Sequence, residues 1–141
     1  MKSLIQSLEV SYFVHSTEDR AKVDGAVSSL LGPGGEAEAE AVEGHFGNPI
    51  VVTKVRFVGE EAEKALRAMV AKMGPATKDR LRRELGERVD EHSALYLRLD
   101  KQKLVRGEAE LTDSDPVRVR IKPRLHAIGG PAARVYLGLL G

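Results

Sequence analysis

The sequence predicts an α+β domain of two layers, with helices packed on one face of a largely antiparallel sheet, in the order β-α-β-β-α-α-β-β-β-α. Three observations lead there. Apolar residues recur with period two in some stretches and at helical spacing in others. Strands follow one another through short turns, which makes hairpins rather than steady βαβ alternation. Residues Val117–Leu125 then alternate throughout: Val117, Val119, Ile121, Pro123 and Leu125 against Arg118, Arg120, Lys122 and Arg124. Side chains alternate across a strand, so this stretch has one apolar face and one face of four cations.

Taken in order, Leu8–Val14 alternates as a first strand. Ser16-Thr17-Glu18-Asp19 reads as a helix start, with a hydroxyl cap and acids in the first turn, and Val23, Ala26, Val27, Leu30 and Leu31 follow at helical spacing. Gly32-Pro33-Gly34-Gly35 ends that helix. In Glu36–Glu43, Glu and Ala favour helix by propensity, but their period is two, so the stretch is read as a strand. A turn at Gly44–Pro49 joins it to a strand at Ile50–Val58. The expected register pairs Glu40 with Lys54 and Glu38 with Arg56, because a one-residue slip would set Ala beside Lys.

Glu60–Met73 carries Ala62, Ala65, Leu66, Met69, Val70 and Met73 on one helical face, and Gly74-Pro75 stops it. Pro75 suits the first turn of another helix, running to about Val89. Ala94–Leu99 is the next strand, with Leu95, Leu97 and Leu99 facing one way and Tyr96 and Arg98 the other. A turn or short helix at Asp100–Arg106, a short strand at Glu108–Leu111 and the basic strand follow. Gly129-Gly130-Pro131 opens a last helix through Leu140.

A chain of 141 residues fits a single domain, 1–141, with a substantial core. Its 42% hydrophobic and 30% charged residues are ordinary for a folded protein. The absence of Cys excludes disulfides, thiolate nucleophiles and Cys-ligated metals. The opening residues do not read as a signal peptide, and no run approaches the ~18 apolar residues of a membrane helix. A cytoplasmic location without membrane contact is therefore expected. The net charge of +1 hides a gradient: residues 1–50 hold 3 Lys/Arg and 8 Asp/Glu, whereas residues 101–141 hold 8 and 4. Such asymmetry points to a polyanionic partner for the C-terminal part.

The candidate interface gathers Arg98, Arg118, Arg120, Lys122 and Arg124, with Tyr96 among them; Lys54 and Arg56 lie on the same face. A basic sheet face holding an aromatic suits nucleic acid. It also describes a half-solvated sheet, and Glu36, Glu38 and Glu40 on that face are expected to pair with Lys54 and Arg56. His45 and Phe46 at a hairpin tip can stack on unpaired bases or fold back on the sheet. The cations of the helix from Pro75 sit four residues from acids (Asp79–Arg83, Arg80–Glu84, Glu84–Arg88) and read as a self-neutralised face. The four His show no ligand spacing, so no metal and no cofactor is expected, and no nucleophile–base constellation marks an enzyme.

Four stretches together resemble one family: Val10–Asp19, Glu43–Ile50 (Glu-Gly-His-Phe-Gly-Asn-Pro-Ile), Leu97–Gln102 with its Leu-Asp-Lys-Gln, and Pro116–Lys122. They look like the small archaeal proteins described as predicted exosome-associated RNA-binding proteins. The resemblance implies a fold like that of the ribosomal protein that carries the smallest ribosomal RNA. It also implies RNA as partner, and contact with exosome subunits in an archaeal cytoplasm. The family's Asp-Lys-Gln falls on Asp100, Lys101 and Gln102. Lys101 and Gln102 are then expected at the end of a central strand, able to meet phosphate or a base edge, unless Asp100 merely caps a short helix and Gln102 serves neighbouring groups. The function expected is non-catalytic RNA binding. The alternative is a protein-interaction subunit of an RNA-processing assembly, with a homodimer compatible with either.

Overall fold

In chain order the computed structural model, which describes residues 3–44, 47–124 and 132–141, runs β1 (Ile5–His15), α1 (Arg20–Leu31), β2 (Glu36–Glu43), β3 (Pro49–Val58) and α2 (Gly59–Ala71). It continues through α3 (Pro75–Arg88), β4 (Leu95–Asp100), α4 (Lys101–Val105), β5 (Pro116–Pro123) and α5 (Ala132–Leu140). The strands form one sheet in the order β2-β3-β1-β5-β4, with every neighbouring pair antiparallel. β1 is thus the central strand, flanked by β3 and by the basic β5. β4 lies at an edge rather than at the centre where the sequence reading set it.

One face of the sheet carries the core. Leu8, Val10, Tyr12 and Val14 of β1, Phe57 of β3, Leu95, Leu97 and Leu99 of β4, and Val117, Val119 and Ile121 of β5 are buried together with the apolar stripes of α1, α2 and α3. α2 crosses β1 and β3 through Ala62, Ala65, Leu66, Met69 and Val70. α5 closes the far end, where the buried Tyr136 donates its hydroxyl to the Ser93 carbonyl at 2.6 Å. Burial and the nearby Asp90 charge push that phenol's pKa well up, so it stays a donor. Near the start of β1 the register with β5 shifts between Ile5 and Ser7. This bulge turns Ile5 back into the core, fully buried, against the parity of the strand. Among the described residues no helix is long and apolar enough to cross a membrane.

Several expectations change in detail. The cap of α1 is Asp19, which accepts from the Lys22 amide at 3.3 Å, not a hydroxyl at Ser16 or Thr17. The β2–β3 hairpin pairs Glu38 with Lys54 and Glu36 with Arg56, two residues from the expected register. Both registers keep the same faces, so the alternation cannot tell them apart. The turn decides between them: the Gly44 amide bonds the Asn48 carbonyl at 2.7 Å, which sets Glu43 opposite Pro49. Gly44 suits that closure because a Cβ there would stand 2.8 Å from the Asn48 carbonyl oxygen. Residues 108–111 form single bridges, Met73 to Ala109 and Leu99 to Leu111, rather than a strand. In α3, Asp79 pairs with Arg82 at 2.8 Å instead of Arg83, while Glu84 takes both Arg80 and Arg88.

The two layers predict an uneven tolerance to change. Leu97 is 1% exposed at the centre of the core, so Leu97→Ala should cost about 2–5 kcal/mol in urea denaturation. Every residue of β2 is exposed, and Ala39→Ser should stay within about 0.5 kcal/mol of the native chain.

Candidate nucleic-acid interface

The side of the sheet away from the helices presents the alternate residues of all five strands. β1 contributes Glu9, Ser11 and Phe13, whose Cα partners across β5 and β3 include Arg120, Arg118, Arg56 and Lys54. β4 adds Tyr96 opposite Arg120 and Arg98 opposite Arg118. Arg98, Arg118 and Lys122 are exposed, while Arg120 and Arg124 are half-buried. The cation side of β5 therefore looks outward, and no helix among the described residues covers it.

Two aromatic rings lie among these charges. The Arg118 guanidinium sits 5.8 Å from the centre of the Phe13 ring, and that of Arg120 lies 5.8 Å from the Tyr96 ring. Both rings remain well exposed, Phe13 at 38% and Tyr96 at 41%. Tyr96 is held in place, since its hydroxyl donates to Asp90 Oδ2 at 3.0 Å. The Ala94 amide, then Tyr96 and the His92 amide, hold the Asp90 carboxyl below its ordinary pKa, so it remains an acceptor. Phe13, Glu9 and Ser11 were absent from the residues that the sequence singled out. The signal existed: Phe13 sits on the polar parity of an otherwise alternating strand, where a core phenylalanine has no place.

Glu36, Glu38 and Glu40 do share this face, but the expected pairing with β3 takes another form. Arg56 pairs with Glu9 of β1 at 3.6 Å, and among the described residues the three β2 glutamates make no ion pair. Nor do Arg98, Arg118, Arg120, Lys122 or Arg124, among those residues. The Nε atoms of Arg120 and Arg124 are buried and without a hydrogen-bond partner there. Between β2 and β4 the face sinks into an open trough of about 650 Å³; Glu9 and Arg56 stand with Tyr96 and Arg120 in its walls, and Glu36 and Glu38 close its β2 side.

Lys101 departs from the expectation. It is 2% exposed, and its ammonium donates to the Phe13 carbonyl at 2.6 Å, with Glu18 Oε1 at 3.0 Å and Asp115 Oδ2 at 2.9 Å. Three N–H donors meet three acceptors, so nothing is left for a phosphate. Gln102 donates to the other oxygen of Glu18 at 3.1 Å, and Asp100 caps α4 by accepting from the Lys103 amide at 3.0 Å. Asp-Lys-Gln is thus a clasp, not an exposed reader. His15 Nε2 lies 3.4 Å from Asp115, which gathers three potential ligand groups, His15, Glu18 and Asp115, within 4.8 Å. The sequence reading saw no such cluster, because Asp115 stands 100 residues from His15 in the chain. The Lys101 ammonium already stands against both carboxylates. His45, Phe46, Leu125 and the Gly129–Pro131 turn lie outside the described residues.

A family model described as RNA binding matches residues 7–123, which takes in nearly all of the sheet. The chain is 32% identical over 123 residues to an RNA-binding protein of Pyrococcus abyssi, covering 82% of this chain and 80% of that one. It is 32% identical over 121 residues to an uncharacterised protein of Methanocaldococcus jannaschii, with 81% and 80% covered. A crystal structure from Archaeglobus fulgidus superposes with a TM-score of 0.78 at 30% identity, over 96% of this chain and 99% of that one.

The clasp predicts asymmetric costs. Lys101→Met strands Glu18, 13% exposed, and should destabilise by about 3–5 kcal/mol. Asp115 is 46% exposed, and Asp115→Asn should lose about 1 kcal/mol or less. Burial pushes the Asp115 carboxyl up, but Lys101, and after it His15, outweigh burial and leave it below its usual pKa. Its contribution is then complete above about pH 4 and vanishes as pH falls through the depressed value. Native and Asp115→Asn stability curves should converge on the acid side; a difference that grows there would contradict the clasp.

Proposed function

Since the chain belongs to the RNA-binding family matched over residues 7–123, we propose that its open sheet face binds RNA and performs no reaction of its own. The observation that carries this reading is the row Arg118, Arg120 and Lys122. These cations project from an uncovered strand and are free of ion pairs among the described residues. Residues i and i+2 of a strand stand about 6.8 Å apart, so the row offers evenly spaced charges to successive phosphates. Arg98 and Arg124 extend it, while Tyr96 and Phe13 supply faces for bases. Gln102 is engaged with Glu18, and Lys101 serves this surface only by holding the scaffold.

The test is RNA binding measured across salt. Replacing Arg118 and Arg120 together by Ala should weaken binding at least about tenfold, from lost charge-assisted contacts. The log–log salt slope should flatten by about 0.7 per lost contact on single strands. Lys64→Ala removes one charge from α2, on the helix layer, and should change neither. Equal affinity for the native chain and the double variant would remove this face from the reading.

A second reading, docking on a protein of an RNA-processing assembly such as the exosome, is favoured by β2. Its whole length is exposed, and its outer backbone edge is a template for a partner's strand. The opposite edge is blunted, since Val89 bridges Leu95 and the Thr112 amide bonds the Arg98 carbonyl at 2.9 Å. Two copies pairing through β2 would set glutamates against glutamates, which disfavours a homodimer by that route. Docking predicts a partner, in an archaeal cytoplasm, that co-purifies after nuclease treatment and is lost when Pro replaces Ala39. Loss of all partners on nuclease treatment would leave RNA as the sole tether.

A further inference from the structure

We infer that the trough at the centre of the open face receives one unpaired nucleobase, and that Glu9 selects guanine there. The inference rests on the RNA-binding reading and specifies what its central site recognises.

A carboxylate in the middle of a phosphate-binding surface works against that surface, so Glu9 needs a reason. Its Cα partners are arginines on both sides, Arg56 on β3 and Arg120 on β5. Its only ion pair among the described residues is a loose one, 3.6 Å to Arg56, and the Glu9 side chain remains 49% exposed. Both oxygens therefore keep lone pairs directed at the trough. Arg120, half-buried, sets its guanidinium over a Tyr96 ring that is anchored on Asp90. The trough, about 650 Å³, is ample for a nucleotide. It thus combines an acceptor pair, the cations of Arg56 and Arg98, and a stacking wall.

An ionised carboxylate only accepts hydrogen bonds. The Watson–Crick edge of guanine presents two adjacent donors, N1–H and the N2 amino group, with the O6 acceptor beside them. Adenine and cytosine each place one donor next to an acceptor, and uracil sets its one donor between two acceptors. Guanine alone can engage both oxygens of Glu9 while O6 meets Arg56, which lines the same trough opposite Glu9. In a duplex that edge is already paired, so the base must come from a single strand or loop. Its ring would stack on the Arg120 guanidinium, whose other side faces Tyr96.

The experiment uses fluorescently labelled uridine 9-mers with one central guanosine, inosine, adenosine or cytidine, titrated with the full chain at fixed salt. The guanosine oligomer should bind about tenfold tighter than the adenosine one, the range of a good bidentate contact. Inosine, which lacks the N2 amino group, should lose most of that advantage. Glu9→Gln keeps the size of a half-exposed side chain, and its fold is checked by thermal melting. It should bring the four oligomers within about twofold of each other, because the paired acceptor has gone. Equal binding of all four by the native chain would overturn the guanine site and leave RNA binding standing. A preference that survives Glu9→Gln would also overturn it. No binding of any oligomer would remove the RNA-binding reading along with it.

Discussion

The Lys101 ammonium is the point on which the open face depends. A buried charge costs several kcal/mol in lost hydration, and it persists here because each N–H has an oxygen to meet. Those oxygens belong to three separate parts of the chain. The Phe13 carbonyl fixes the end of β1, Glu18 fixes the approach to α1, and Asp115 fixes the residue before β5 begins. Asp115 has a positive φ of 41°, a conformation that Gly, Asn and Asp adopt more readily than other residues. Two adjacent strands are therefore locked at the same end by one side chain. Phe13 and Arg118, which meet on the outer face, take their places from that lock.

The same clasp joins two stretches that lie far apart in the chain. His15 and Glu18 belong to one, Lys101 and Gln102 to the other, and they meet in space. Glu18 accepts from Lys101, Gln102 and the His15 amide at once. A lysine and a glutamine at a strand end resemble a binding motif in sequence because nothing local reveals burial. Burial arises from long-range partners, 83 and 84 residues away here, which no spacing rule encodes.

Period-two alternation survived translation into structure well, because it depends only on which face is apolar. Val117–Pro123 lies with its cations outward, and the stripe of α2 is buried residue by residue. Properties that alternation leaves degenerate were less legible. A two-residue shift of the β2–β3 register changes no face, so the turn alone could fix it. Strand order was equally invisible, and it decides who stands beside whom. Only with β1 at the centre do Glu9 and Phe13 enter the site, and only then does β4 become an edge. The bulge between Ile5 and Ser7 is a further case, since Ile5 breaks the parity that its neighbours keep.

Strand order also decides whether the acidic β2 silences the basic β5, a matter that total charge cannot settle. Neighbouring strands stand about 4.8 Å apart, so three strand spacings separate the β2 glutamates from the β5 cations by about 14 Å. At physiological salt, exposed charges beyond a Debye length of about 8 Å interact weakly. Glu36, Glu38 and Glu40 therefore temper Lys54 and Arg56 on the strand beside them, while Arg118, Arg120 and Lys122 keep their field. The face is polarised rather than neutral. On the proposed reading, this polarity draws an RNA backbone to the β5 side and repels it from the β2 side. Glu9 stands one strand from β5, directly opposite Arg120 and inside the screening length, so it is the acid that acts on the β5 cations most directly.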